Sequence, residues 1–509
     1  MLFNSVLYLL FFGILYIIYW AVPSSRRVTL LILGSMLFYA AWGLTGEGWV
    51  GLRWTAHFLA AIGFSHFMNQ RIFDSKDQKR KKRILSFTVV VLLLNLAVFK
   101  YAEFFLSFLV DFGVPAEMLP NAKGIFLPLA ISFYTFQIIA FSVDVYRGTI
   151  TDRPTAKSYF LFILFFPQLI AGPIMRSTDL LDQKPFLNSR RVYDGGWFII
   201  GGLIKKVLLA DPMGTLIGPV FGNPTAYSAA SILLAGMSFS LQVYCDFSGY
   251  TDMARGSALL LGYKIPENFI APFFSLSARE LWQRWHITLT TWLRDYIYIP
   301  LGGNRVSVAR NYFNQFATFA LGGLWHGADY TYIAWGSMWG LLLAVERFVE
   351  QVLHIKTVPE KNIVMKILKG FFMFILFAIG ALMFRSQPVK IGETIISSTQ
   401  IMGQMLGGLF VNWPNRLASV YSSAGGDSTL TQSIFGSDLF SFSNMTQLDT
   451  IGFMFVLLIF FHIVQYRPGI FEKYRKYDPY LIVATGGVIG GFIIPALVQS
   501  GHQFIYFVF

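Results

Sequence analysis

RELWQRWHITLTTWLRDYIYIPLGGNR (279–305), followed after an apolar segment by LGGLWHG (321–327), gathers arginines, tryptophans and two histidines, His286 and His326, in one stretch. Trp282, Trp285, His286, Leu289, Trp292 and Leu293 recur at i, i+3, i+4 and i+7, which predicts one continuous helical face. Arg284, Arg294 and Asp295 lie off that stripe. Such a helix suits a membrane interface, with its aromatic face in protein or lipid. Anchoring by the tryptophans and a hydrogen-bonded core role for His286 fit the spacing as well as a catalytic one. YIPLGGNR (298–305) reads as a turn, with Asn304 and Arg305 offering donors to a phosphate. NYFNQFATFALGGLWHG (311–327) then enters the hydrocarbon and ends on His326, between Trp325 and Gly327. An ionisable side chain inside a membrane span marks a functional site by default, because it is costly there. Burial favours the neutral imidazole, which can act as a general base. Gly322, Gly323 and Gly327 leave space beside it.

The rest of the chain says what solvent surrounds this stretch. Of 509 residues, 55% are hydrophobic and only 13% charged, against about 25% charged in a soluble domain. Aromatic residues make up 17%, including 52 Phe, and Trp and Tyr favour the two bilayer interfaces. The net charge of +13 falls in short loops between apolar runs, so anionic lipid explains it better than nucleic acid.

Apolar runs long enough to cross a bilayer are expected at roughly 1–22, 28–45, 50–68, 84–109, 125–145, 193–210, 229–262, 311–326, 331–349, 368–386, 450–466 and 480–500. Residues 1–22 lack a basic leader and a cleavage signal, and read as a retained helix. Basic loops alternate with poorly basic ones. Arg26 and Arg27, the 69–83 loop, 146–157 and 467–478 are placed in the cytoplasm, and 111–124, 211–228 and 412–449 outside. Residues 158–176 are apolar yet flanked by basic loops on both sides. With Pro167, Gly172 and Pro173 as breakers, they read as a re-entrant element lining a cavity, or as a plain short helix. Residues 391–410 read as interfacial.

A second polar cluster, CDFSGYTDMAR (245–255), interrupts the run 229–262 with Asp246, Ser248, Tyr250, Asp252 and Arg255. Polar groups within a span face the bundle interior, either toward the cavity or in an internal network. Cys245 is the one cysteine and reads as a small core residue. No metal motif and no G-x-S-x-G elbow is present.

RWHITLTTWLRDYIYIPLGG and GGLWHG resemble the signature of the membrane-bound O-acyltransferase family. Residues 131–148, 165–176, 246–254, 266–273 and the C-terminal FIYF resemble the branch that serves bacterial alginate O-acetylation. Thr288 and Thr290 stand where that branch often has Ser, and GADYTYIAWG (327–336) also departs from it. The resemblance implies an acyl group passed from a cytoplasmic thioester to a hydroxyl, with no bound cofactor. It implies acetyl-CoA as donor, and an extracytoplasmic esterase-like acetyltransferase with other polysaccharide-pathway proteins as partners. A related teichoic-acid type implies a D-alanyl carrier protein instead. The family's histidine matches His326, and its second, more cytoplasmic histidine matches His286.

The expectation is therefore an all-α, multi-pass protein of the cytoplasmic membrane. It has about 11–13 transmembrane helices, with re-entrant and interfacial helices around a central tunnel. Residues 1–509 form a single domain with a catalytic core near 125–350. His326 and His286 are the catalytic candidates. Arg284, Trp285, Arg294, Asp295, Asn304, Arg305, Trp325, Asp246 and Ser248 are the donor- or substrate-binding candidates. A helical 311–326 puts roughly 22 Å between its ends, so the two histidines need not share one active centre; His286 is expected to serve the donor side and His326 the transfer itself. A polysaccharide transporter or channel is the rival class, although the inverted repeat common in transporters is not seen.

Overall fold

A computed structural model of the protein describes residues 3–121, 124–170, 172–354, 360–391, 394–423 and 446–466, with positions 487 and 491. The expected 480–500 span, the basic 467–478 loop and the C-terminal FIYF lie outside the described residues. The chain forms two compact units, Met1–Leu203 with Gly249–Glu267, and Ile204–Ser248 with Asn268–Phe509.

The first unit is helical. Its elements are α1 (Val6–Ala21), α2 (Ser24–Glu47), α3 (Leu52–Asp74), α4 (Gln78–Leu96), α5 (Ala102–Asp111), α6 (Ile131–Arg147), α7 (Ala156–Leu164), α8 (Phe166–Leu169) and α9 (Ser189–Leu203). The caps are written in the sequence. Ser5 accepts from the Tyr8 N–H, and Asp77 accepts from Lys79 and Arg80 at the start of α4. Between α2 and α3 the backbones nearly touch: a Cβ on Gly43 would lie 2.4 Å from the Gly51 carbonyl oxygen. The broken apolar element expected at 158–176 is broken as read. α7 stops at Leu164, α8 is a single turn, and irregular backbone follows. The Phe162 carbonyl at the break accepts from Gln137 and Gln168, both at 2.8 Å, so the exposed backbone is satisfied internally.

In the second unit a π-helical stretch (Ile204–Ala210) leads into α10 (Asp211–Gly222). α11 (Ala229–Leu260) is one unbroken helix of 32 residues that crosses the boundary between the units. The span expected at 229–262 is thus one helix, and the CDFSGYTDMAR cluster breaks only its apolar character: short polar side chains keep the helical backbone when they find partners inside. The remaining elements are α12 (Ala278–Arg284), α13 (Ile287–Leu293), α14 (Val308–His326), α15 (Tyr330–Gln351), α16 (Ile363–Arg385), the hairpin β1 (Val389–Ile391) and β2 (Thr394–Ile396), α17 (Ser398–Ser423) and α18 (Thr446–Tyr466). The small hairpin overlaps only the start of the 391–410 stretch that reads as interfacial; α17 takes up most of it.

α14 and α15 are packed through glycine. A Cβ on Gly323 would meet the Tyr332 carbonyl oxygen at 2.1 Å, and one on Gly336 the Phe319 oxygen at 2.2 Å. This contact brings the end of α14 against the start of α15.

Among the described residues four helical segments are long and apolar enough to cross a membrane: Ser24–Asp74, Gln78–Asp111, Ala229–Leu260 and Ile363–Arg385. Leu10, Ile17, Leu94, Ile367, Phe372 and Val456 each leave more than half their surface exposed. Such a mantle is stabilised by hydrocarbon rather than water. The fold is that of an α-helical, multi-pass membrane protein.

Candidate active site

The expected single helix through Trp282–Leu293 is two short helices. α12 ends at Arg284, and His286 adopts the left-handed conformation with φ 44° before α13 begins. For a residue with a Cβ this costs about 1–3 kcal/mol, so surrounding structure must hold it. Two backbone hydrogen bonds do so: the Ile270 N–H donates to the Arg284 carbonyl at 2.9 Å, and the Ile287 N–H to that of Asn268 at 3.0 Å. Periodicity misses the break because it reads side-chain character, and the break is made by a distant segment.

The kink turns His286 inward, where it is fully buried. Its Nδ1 lies 3.2 Å from Asn268 Oδ1, which also accepts from the Thr288 N–H at 3.2 Å and the Thr288 hydroxyl at 2.9 Å. A backbone N–H can only donate, so the amide oxygen of Asn268 faces this group of donors. His286 Nδ1 must then carry the proton and donate it. Nε2 keeps its lone pair and has no hydrogen-bond partner among the described residues. α12 and α13 are seven residues each and too short to span; burial between them pushes the His286 pKa down to about 3, so the ring is neutral at physiological pH.

His326, the last residue of α14, is also buried. Its ring centre is 6.4 Å from that of His286, so the two histidines meet in one place, a point that the sequence left open. α12 and α13 lie alongside the C-terminal half of α14, with Trp282 against Phe319 at 4.9 Å and a Cβ on Gly322 meeting Leu293 at 2.9 Å. The length of α14 therefore does not separate the two rings. Trp325, Trp335 and Phe384 surround the His326 ring at 5.0, 5.2 and 5.3 Å. A cavity of about 20 Å³ touches His326, Trp285, Trp335, Phe239, Phe377 and Phe384, room for about one water.

The other candidates divide. Trp285 and Trp325 are buried at the histidines. Arg284 pairs with Glu280 at 2.7 Å and lies over the Tyr466 ring. Arg294 pairs with its neighbour Asp295 at 2.7 Å, and Asn304 and Arg305 are exposed on the turn. Arg294 does line a groove of about 510 Å³, together with Arg279, which pairs with Glu350 of the same lining at 2.7 Å, Arg347, and the apolar Trp282, Phe319 and Leu343. Trp282 and Trp335, whose rings are 5.8 Å apart, lie between this groove and His326. Asp246 is held in an ion pair. Lys206 Nζ stands 2.7 Å from both Asp246 and Asp211, all three nearly sealed from solvent. Ser248 is buried, with no hydrogen-bond partner for its hydroxyl among the described residues. Phe247, between them, sets its ring edge-on to His286 at 4.7 Å.

Sequence reasoning missed Asn268 and Lys206. Lys206 carried a usable signal, a lysine inside an apolar run, which demands a carboxylate partner. Asn268 carried none beyond its place in PENFIAPF.

Two expected outcomes follow from His286. Asn268→Leu removes the acceptor that fixes the tautomer, and transfer is expected to fall about 10²-fold, read as initial rates. The second concerns stability. Below about 6.5 the unfolded chain binds a proton at this ring, whereas the folded chain does not until about pH 3. Stability from this residue is full above pH 6.5 and lost as pH falls toward 3. Thermal unfolding of wild type should thus decline more steeply over that window than that of His286→Gln; equal slopes would mean that His286 is protonated in the fold.

Residues 147–385 match the membrane-bound O-acyltransferase family. The chain is 38% identical to the probable alginate O-acetylase AlgI of Pseudomonas aeruginosa, over 77% of this chain and 73% of that protein. It is 34% identical to the peptidoglycan O-acetyltransferase of Helicobacter pylori, over 62% and 64%. It is 29% identical to the teichoic acid D-alanyltransferase of Bacillus subtilis, over 44% and 60%.

Proposed function

Since the chain belongs to the membrane-bound O-acyltransferase family, we propose that this acyltransferase moves an acetyl group from cytoplasmic acetyl-CoA to an extracytoplasmic hydroxyl, in the O-acetylation of an exopolysaccharide. It does so from the cytoplasmic membrane, with an esterase-like acetyltransferase as partner on the far side. About 11–13 membrane crossings and a re-entrant element at 158–176 would enclose a central tunnel for the two substrates. Acetyl is favoured over D-alanyl by the higher identity and wider cover of the relative named for O-acetylation.

The observation that carries this reading is the meeting of two buried imidazoles, 6.4 Å between ring centres. In the proposed reaction His326 takes the proton of the acceptor hydroxyl. The oxygen attacks the thioester carbonyl carbon, and the tetrahedral intermediate collapses as the C–S bond breaks. The departing thiolate takes the proton from the imidazolium, and the histidine is neutral again. His286, its Nδ1–H held by Asn268, offers the Nε2 lone pair on the donor side of the same centre. The groove lined by Arg279, Arg294 and Arg347 would supply guanidinium groups for the phosphates of the donor and an apolar wall for its arm.

Purified protein in proteoliposomes should transfer label from acetyl-CoA to an unacetylated alginate oligomer or to the partner, and none from a D-alanyl carrier protein. Movement of the oligomer without acetylation would favour a transporter. Arg279→Gln with Arg347→Gln is expected to raise KM for acetyl-CoA about tenfold or more, with kcat little changed, because the lost contacts bind ground and transition states alike.

A further inference from the structure

The first unit holds a cleft of about 350 Å³ that acyl transfer does not use. Arg190 and Arg191 of α9, Arg255 of α11 and Lys264 just beyond it line this cleft. Arg190 and Arg191 stand in the first turn of α9, which begins at Ser189. A helix N-terminus is already positive, so cations there add to the field instead of opposing it, and an anion is the charge that relieves both. The carboxylates present answer only part of this. Asp194, itself in the lining, is 3.6 Å from Arg190; Glu267, half exposed, is 2.7 Å from Arg255, and Asp252 is 4.0 Å from it. Among the described residues Arg191 and Lys264 have no carboxylate partner; Arg191 donates to the backbone carbonyls of Phe186 and Gly262.

The cleft is built rather than incidental. The side-chain amide of Gln183 accepts from the Lys264 N–H at 2.9 Å and donates to its carbonyl at 2.6 Å. Gly262 turns the chain at φ 88°, where a Cβ would meet the Phe186 nitrogen at 2.8 Å. The two walls are thereby locked together, and a ligand has little ordering left to impose. Phe198, Leu259 and Ile265 complete the lining, and the Arg255 guanidinium lies 4.4 Å over the Phe198 ring. Cations beside an apolar wall, in a multi-pass membrane protein, match a phosphate that carries hydrocarbon.

We propose that this cleft binds a phosphate group, presented by an anionic phospholipid whose acyl chains run along α9 and α11. Basic pockets between membrane helices hold such headgroups through the same combination of charge and apolar surface.

The test uses the full-length protein, stripped of lipid in a neutral detergent. Thermal unfolding is followed with phosphatidylglycerol, with phosphatidylcholine and with inorganic phosphate, and retained lipid is counted by native mass spectrometry. Phosphatidylglycerol should stabilise the wild type well beyond phosphatidylcholine, and the difference should shrink with salt. Arg190→Gln with Lys264→Gln should weaken that binding roughly twenty-five-fold, about fivefold for each charge removed. Arg190→Gln alone, at an exposed side chain, gives the same reading should the pair fail to fold. Lys79→Gln with Lys82→Gln, at the basic start of α4, should leave the response intact. Equal response to the two lipids, or an unaltered response in both cleft variants, overturns the proposal. An equal shift with inorganic phosphate alone overturns the lipid as its source.

Discussion

His326→Gln is expected to lower acyl transfer by about 10³-fold, within the 10²–10⁴ range for loss of a positioned general base. The chain should remain folded. Glutamine keeps most of the side-chain volume against Trp325, Trp335 and Phe384, so the packing loss stays small beside the chemical one. His326→Ala would lose the same chemistry and also enlarge a cavity of about 20 Å³, so some destabilisation accompanies it. The measurement is label transfer from acetyl-CoA at matched amounts of monodisperse protein. A rate within tenfold of wild type in His326→Gln would remove His326 from proton transfer. Rapid acylation of His326 itself with donor alone would instead make it a nucleophile. His286→Gln should also impair transfer because the two rings occupy one centre, an outcome not expected from sites an α14 length apart.

Lys206→Met is expected to destabilise the protein by about 3–5 kcal/mol. Lys206 is the cation that Asp211 and Asp246 share at 2.7 Å. Removing it leaves two buried carboxylates without the cation they share. Asp246→Asn with Asp211→Asn in the Lys206→Met background should restore most of the loss, since replacing a whole buried ionic group is often neutral. Thermal unfolding in detergent reads both. A single variant within about 1 kcal/mol of wild type would mean that the two carboxylates hold protons in the fold. Function should follow stability only indirectly: Asp246 is next to Phe247, whose ring supports His286.

Much of the fold was readable along the chain because its signals are local. Apolar runs, caps such as Asp77 and breakers such as Pro167 act over a few residues, and among the described residues helices cover the expected apolar runs, although α10 stands in a stretch read as an outer loop. α11 is instructive: the span expected at 229–262 is one helix, and Asp246 of the polar cluster CDFSGYTDMAR finds its partner in Lys206, forty residues earlier. In the site, residue types were legible and partners were not. Trp285, Trp325 and both histidines gather, whereas Asn304 and Arg305 stay on an exposed turn.

The sequence by itself determined the solvent, the helical class, the two histidines and the family those motifs resemble. Each follows from composition or from spacing within one element. The tertiary structure decided what the histidines can do together. It broke the Trp282–Leu293 stripe at His286, laid the pieces along α14, and brought two rings 40 residues apart to 6.4 Å. It also placed Asn268 on Nδ1, which selects the tautomer and leaves Nε2 available. The physical reason is that a periodic pattern reports which face of an element is apolar. Packing between elements sets which side chains meet, and here glycine contacts and two backbone hydrogen bonds to a distant loop set it.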